Sequence, residues 1–271
     1  MPRTGVGSLA VLSYVTSSDG VKIACETSGS GPPLVLLHGA GSARWSFDGL
    51  RPLMEDRFTV VAADRRGRGD SGDAATYELQ RDLADLGVVL TRTGSGAIVF
   101  GHSYGGMIAA ALAPSLDGMR ALALYEPPTG GVLTDPGWTD RIERLIRSGR
   151  REEMLAEYLQ VVGGYAPAEV EAMRGTEPWH ARLAVTPTVP REMRAEYHHA
   201  LPTAALARLD LPTLLLLGTE SPEWARRSTK SYAAAIPGAQ VRSLEGQGHG
   251  ALAAAPELVA RELSAFLARA V

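Results

Sequence analysis

Strand-like runs alternating with stretches of helical spacing constrain this chain more than any other feature. Residues 34–37, 58–63, 97–100, 121–125 and 214–217 are short apolar runs bounded by glycine, proline or charged residues, and each reads as a buried strand. Helical spacing separates several of them, at 79–90 and 104–113. Strand–helix–strand repetition folds into a mostly parallel central sheet with helices on both faces. Upstream, 13–16 and 21–26 flank Asp19-Gly20, a pair suited to the tight turn of a hairpin.

The alternation stops between Pro127 and Leu211. That stretch offers helical segments at 140–148, 151–161, 167–174 and 190–201, and no buried strand. The pattern then resumes with the 214–217 strand, a helix at 224–235, a strand at 240–244 and a helix at 256–270. The expected organisation is one α/β core, 1–129 and 208–271, carrying an inserted α-helical cap at 130–207, far longer than an ordinary loop. A chain of 271 residues with 45% hydrophobic and 21% charged residues can bury such a core.

Charge and cysteine usage exclude several function classes. A net charge of −3 argues against nucleic acid as a partner, which demands a basic face. The single cysteine, Cys25, excludes an internal disulfide and a cysteine-based zinc site. No apolar run approaches the roughly 20 residues of a membrane span, and residues 1–12 lack the apolar core of a signal peptide. A soluble cytoplasmic protein with no membrane partner is expected.

Gly101-His102-Ser103-Tyr104-Gly105 matches G-x-S-x-G between an expected strand and an expected helix. A serine on so sharp a turn needs small neighbours two positions away on either side, and the turn lifts its hydroxyl above the sheet. His38-Gly39-Ala40-Gly41 follows the 34–37 strand, Asp64 to Ser71 follows the next, and Gly248-His249-Gly250 precedes the last helix. With these motifs the chain resembles the α/β-hydrolase superfamily over nearly its whole length. The resemblance implies Ser103 as nucleophile, His249 as general base, and backbone N–H groups of Ala40 and Tyr104 as the oxyanion hole.

The triad acid departs from the superfamily pattern. Its usual position, after the seventh strand, reads Gly218-Thr219-Glu220-Ser221-Pro222, which places Ser221 where an aspartate is expected. Two candidates remain. Glu126, in Tyr125-Glu126-Pro127, is favoured because it looks similar to haloalkane dehalogenases that carry the acid after the sixth strand; Glu220 is the alternative.

His38, Gly39, Trp45 and Trp179 are the expected substrate-pocket residues, with bulky cap aromatics such as Tyr158 and Tyr165 as further candidates. The arginines from Arg141 to Arg151 read as a solvated helix face or, alternatively, a dock for an anionic carrier-linked acyl group. Gly67 to Gly72 formally fits G-x-G-x-x-G but lacks the following helix and acidic residue of a dinucleotide site. His198-His199 lacks companions for a metal, so neither metal nor cofactor is expected.

The expected activity is hydrolysis of a small acyl substrate (an ester, thioester or lactone) through an acyl-enzyme on Ser103. Alternatives on the same fold are carbon–carbon bond hydrolysis, perhydrolysis, or a non-hydrolytic ligand-binding or cyclase member with an idle triad.

Overall fold

Side chains point alternately to opposite faces of a strand, and that alternation divides the core of this protein in two. Val35, Leu37, Val61, Val99 and Leu122 join one buried cluster, while their chain neighbours Leu34, Leu36, Val60, Ile98 and Ala121 join another. A sheet apolar on both faces must be covered on both, as parallel sheets are. The computed structural model describes residues 9–131 and 136–270. The expected absence of a signal peptide concerns residues of which 1–8 lie outside these, as do 132–135 of the expected cap.

The eight strands are β1 (Val11–Thr16), β2 (Lys22–Gly29), β3 (Pro33–Leu37), β4 (Thr59–Ala63), β5 (Ala97–His102), β6 (Met119–Tyr125), β7 (Thr213–Gly218) and β8 (Gln240–Leu244). They form one sheet in the order β1-β2-β4-β3-β5-β6-β7-β8. Pairing is antiparallel for β1 with β2 and β2 with β4, and parallel from β4 to β8. The expected hairpin joins β1 to β2: Gly20 turns at φ +86°, a backbone state open to glycine.

The two faces are closed by different helices. α1 (Arg51–Met54), α11 (Ala251–Ala254) and α12 (Pro256–Ala270) supply Met54, Leu252, Leu263 and Phe266 to one cluster. α2 (Leu79–Thr93), α3 (Tyr104–Leu112) and α10 (Glu223–Ala235) supply Leu86, Ile108 and Tyr232 to the other. Burying each such side chain stabilises the fold by about 1.5–3 kcal/mol before entropy is counted.

Between β6 and β7 the described residues form α4 (Pro136–Arg147), α5 (Arg151–Val161), α6 (Pro167–Met173), α7 (Glu177–Val185), α8 (Val189–His198) and α9 (Thr203–Leu206). Their apolar residues, among them Ile142, Leu155, Trp179 and Met193, extend the cluster on the α3 face. Sequence reading left α7 out, because Pro178 and only two buried residues, Trp179 and Val185, hide its periodicity. Pro178 sits in the first turn, where a missing N–H costs nothing, and Thr176 caps the Trp179 N–H.

Glu192 of α8 ties these helices to the core. Its carboxylate, 1% exposed, lies 2.5 Å from Arg65 Nη2 and 2.5 Å from Arg68 Nη2, in the segment that follows β4. A buried ion pair is costly to assemble and far costlier to break, since removing one partner strands the other charge.

Candidate active site

β5 delivers Ser103 into a turn with φ +52° and ψ −124°, and α3 starts at the next residue. Gly101 allows the close return of the helix, since a Cβ there would lie 2.6 Å from the Gly106 Cα. Gly105 allows α3 to press on the carbonyls of Leu37 and His38. Ser103 and Glu126 are the two non-glycine residues with positive φ among the described residues. Strain of this kind costs on the order of 1–3 kcal/mol and gathers at functional sites.

Glu126 follows β6 and is fully buried. Its Oε2 lies 2.6 Å from His249 Nδ1, while Oε1 accepts from Ser221 Oγ at 2.5 Å and from the Gly218 N–H at 2.8 Å. The carboxylate is thus satisfied on both oxygens, and because a carboxylate can only accept, Nδ1 of His249 is the donor in this contact. Glu220, the alternative acid, is exposed; its backbone N–H bonds Gln247, and the turn places its side chain outside this cluster.

Neighbouring rings hold the imidazole. Trp224 meets His249 edge-on at 4.9 Å, its indole N–H bonded to the Val162 carbonyl. His102 lies 4.6 Å from His249 on the other side, stacks on Tyr125, and donates to the His249 carbonyl at 3.1 Å. Burial pushes the His102 pKa well below the usual histidine range, and nearby His249 pushes it the same way. The hydroxyl of Tyr125 fixes the same loop by bonding the Gly248 carbonyl.

Ser103, His249 and Ala40 border one cavity of about 430 Å³. Trp45 lines it, together with Tyr158 and Tyr165. Tyr158 also donates to the Ala40 carbonyl at 2.9 Å. Tyr104 turns its side chain away, where its hydroxyl meets Tyr77 at 2.7 Å; as the first residue of α3 its N–H has no partner within the helix.

Three expected pocket residues do not line the cavity. His38 is fully buried beneath it: Nε2 accepts the Arg65 N–H at 3.0 Å, and Nδ1 donates to the Gly39 carbonyl at 2.9 Å. Burial and the Arg65 charge hold its pKa well below the usual range, so it is a neutral strut. Gly39 backs Ser103, where a Cβ would come 3.0 Å from the Ser103 Cβ. Trp179 is 1% exposed and sits roughly 100° around α7 from Pro178, so it packs inward.

Sequence reading missed Arg65, whose guanidinium donates to the carbonyls of His38 and Gly39, both at 3.1 Å. In a trans peptide the N–H points opposite the carbonyl, and the described residues contain no cis bonds. Holding the Gly39 carbonyl therefore fixes the direction of the Ala40 N–H. Three arginines of the 141–151 cluster are exposed and ion-paired, Arg141 with Glu157, Arg147 with Glu143 and Arg150 with Glu153.

A mostly parallel eight-stranded sheet that raises a strained serine at the end of β5, and a carboxylate-bound histidine after β8, has the α/β-hydrolase fold. A sequence comparison agrees: the chain matches the alpha/beta hydrolase family over residues 34–262 and belongs to it. It is a hydrolase of that family.

An alpha/beta hydrolase from Sphaerobacter thermophilus DSM 20745 superimposes with a TM-score of 0.84 at 35% identity, covering 94% of this chain and 100% of that one. The 2-(acetamidomethylene)succinate hydrolase of Mesorhizobium japonicum is 26% identical over 258 residues, 88% of this chain and 89% of that protein. A soluble epoxide hydrolase of Corynebacterium sp. (strain C12) is 37% identical over 93 residues, so the match spans about a third of each (34% and 32%). No described helix is long and apolar enough to cross a membrane.

Proposed function

We propose that this hydrolase cleaves a carboxylic ester or thioester through an acyl-enzyme on Ser103. The observation that carries this reading is the 2.6 Å contact of His249 Nδ1 with Glu126 Oε2, beside a cavity that Ser103 also borders. In that arrangement His249 Nε2 takes the Ser103 proton as Oγ attacks the substrate carbonyl carbon. The carbonyl π bond opens onto oxygen, and the N–H groups of Ala40 and Tyr104 receive the negative charge. Each such donor is worth about 3 kcal/mol in the transition state. Collapse of the intermediate breaks the bond to the leaving alcohol or thiol, which takes its proton from His249. Water then gives a proton to His249, attacks the acyl carbon and frees the acid, with Oγ recovering its hydrogen.

The helices between β6 and β7 act in this reading as a cap: Tyr158, Tyr165 and Ala181 bring apolar surface to the cavity. Ser103 speaks against epoxide and haloalkane chemistry, for which the fold uses an aspartate nucleophile. The likeness to a 2-(acetamidomethylene)succinate hydrolase along most of the chain favours, as second reading, hydrolysis of a bond other than a simple ester.

Labelling with a fluorophosphonate probe tests the nucleophile. Stoichiometric labelling of the wild type, absent in Ser103→Ala, together with turnover of short aryl esters, is the expected result. An unlabelled wild type overturns the reading, and labelling without turnover of any ester favours the second one.

A further inference from the structure

Among the described residues no carboxylate oxygen lies within 4.0 Å of the Arg182 guanidinium, which faces the cavity. It lies on α7, is partly buried, and lines the cavity that holds Ser103 and His249. Every other described arginine that is not exposed has a carboxylate oxygen within 4.0 Å. Arg182 has instead the face of Trp45, with Cζ 5.3 Å from the ring centroid.

The chemistry of a stacked guanidinium gives this arrangement its meaning. Stacking on an aromatic face uses the flat side of the group and leaves its N–H donors pointing out in the plane. Those donors match the two oxygens of a carboxylate. The two acids that share the cavity wall do not supply one: Glu177 is exposed, and Asp48, with a side chain 67% exposed, pairs with Arg51 at 3.9 Å. Desolvating a cation without a partner is unfavourable, so the site gains when an anion enters.

We propose that Arg182 binds a carboxylate of the substrate, which makes the preferred substrate a small ester or thioester bearing a free carboxylate. The proposal rests on the assignment of Ser103 as nucleophile. A cavity of about 430 Å³ is near the small end for ligand sites, and suits a short acid-bearing ester over a long acyl chain. The carboxylate can belong to the acyl half, as in a monoester of a dicarboxylic acid, or to the alcohol half, as in an acylated hydroxy acid.

The test compares charged and neutral esters of matched size. Values of kcat/KM are measured for 4-nitrophenyl hemiglutarate against 4-nitrophenyl pentanoate, and for O-acetyl-3-hydroxybutanoate against its methyl ester. Wild type, Arg182→Gln and Arg182→Lys are compared. The expected result is a wild-type preference for the charged member of one pair, which identifies the half that carries the carboxylate. In Arg182→Gln that charged-to-neutral ratio falls on the order of 10–100-fold, chiefly through KM, with Arg182→Lys in between.

A wild type indifferent to charge in both pairs, or an unchanged ratio in Arg182→Gln, overturns the proposal. Calorimetric binding of glutarate and of 3-hydroxybutanoate to the Ser103→Ala protein reads the subsite without turnover. Binding of either, lost on adding Arg182→Gln, supports it even if the nucleophile assignment fails; binding of neither to Ser103→Ala overturns it.

Discussion

Ser221 donates its hydroxyl to Oε1 of Glu126 at 2.5 Å, on the carboxylate whose other oxygen meets His249. The two residues come from neighbouring strands, because β6 and β7 pair in parallel with Tyr125 opposite Leu216. Loops leaving adjacent strand ends open onto the same space. An acid carried by either loop can therefore serve one histidine, and the loop that gives up the acid keeps a hydroxyl to orient it. The Gly218 N–H adds a second donor to the same oxygen.

Exchanging Glu126 for Gln keeps the shape and removes the charge that holds the histidine tautomer. Ester turnover in Glu126→Gln is expected to fall about 10³–10⁴-fold in kcat. Glu220→Gln, altered at an exposed side chain, is expected to stay within about 2-fold, the size of an ordinary surface change. Steady-state kinetics of the two variants checks this, and the reverse ranking would move the acid to Glu220.

Ser221 acts on the reaction through Glu126. Ser221→Ala leaves Oε1 only the Gly218 N–H and is expected to lower kcat about 10–100-fold, as losses of supporting hydrogen bonds do, with KM little changed. Ser221→Thr, which keeps a hydroxyl, is expected to restore most of it. Equal damage in both variants would indicate that packing, not the hydrogen bond, is what matters.

Glu192 offers a stability test. Glu192→Ala strands the Arg68 charge, leaves Arg65 with Asp82 alone, and is expected to cost about 3–5 kcal/mol in denaturant unfolding. Glu153→Ala, on an exposed pair with Arg150, is expected to move the midpoint far less. Because Arg65 also holds the Gly39 carbonyl, residual Glu192→Ala enzyme should show reduced kcat under conditions where it is still folded.

Cys25 lies in β2, and burial pushes its thiol up to about 11, with Asp64 adding in the same direction. A raised thiol pKa means that the reactive thiolate is scarce below that value. A disulfide reagent at pH 8 is expected to leave the native protein unmodified and to titrate one thiol after denaturation. Prompt reaction in the native state would contradict this placement.

Much of the fold was legible because buried strands and amphipathic helices leave periodic traces. The runs at 34–37 and 214–217 fall within β3 and β7, and the Gly101–Gly105 motif sits at the strand-to-helix turn. The acid narrows to two glutamates, and Glu126 is favoured over Glu220 by a resemblance alone, since which loop end meets His249 depends on strand order. Pocket residues were least legible. Trp179 and Arg182 differ by three positions, yet one is buried and the other faces the cavity, and the helix that separates them gave no clear period. Arg65 acts through carbonyls 26 and 27 residues away, a pairing no local pattern announces.

The positive φ angles of Ser103 and Glu126 carry a consequence for engineering. Glycine fits such a backbone without penalty, so Ser103→Gly and Glu126→Gly relieve strain on the order of 1–3 kcal/mol at each position, against which the lost contacts must be set. A screen that rewards heat resistance alone would then be drawn toward glycine at position 103, where few contacts are lost, and would harvest robust proteins with no catalysis. Thermal selection on this scaffold needs an activity gate at every round.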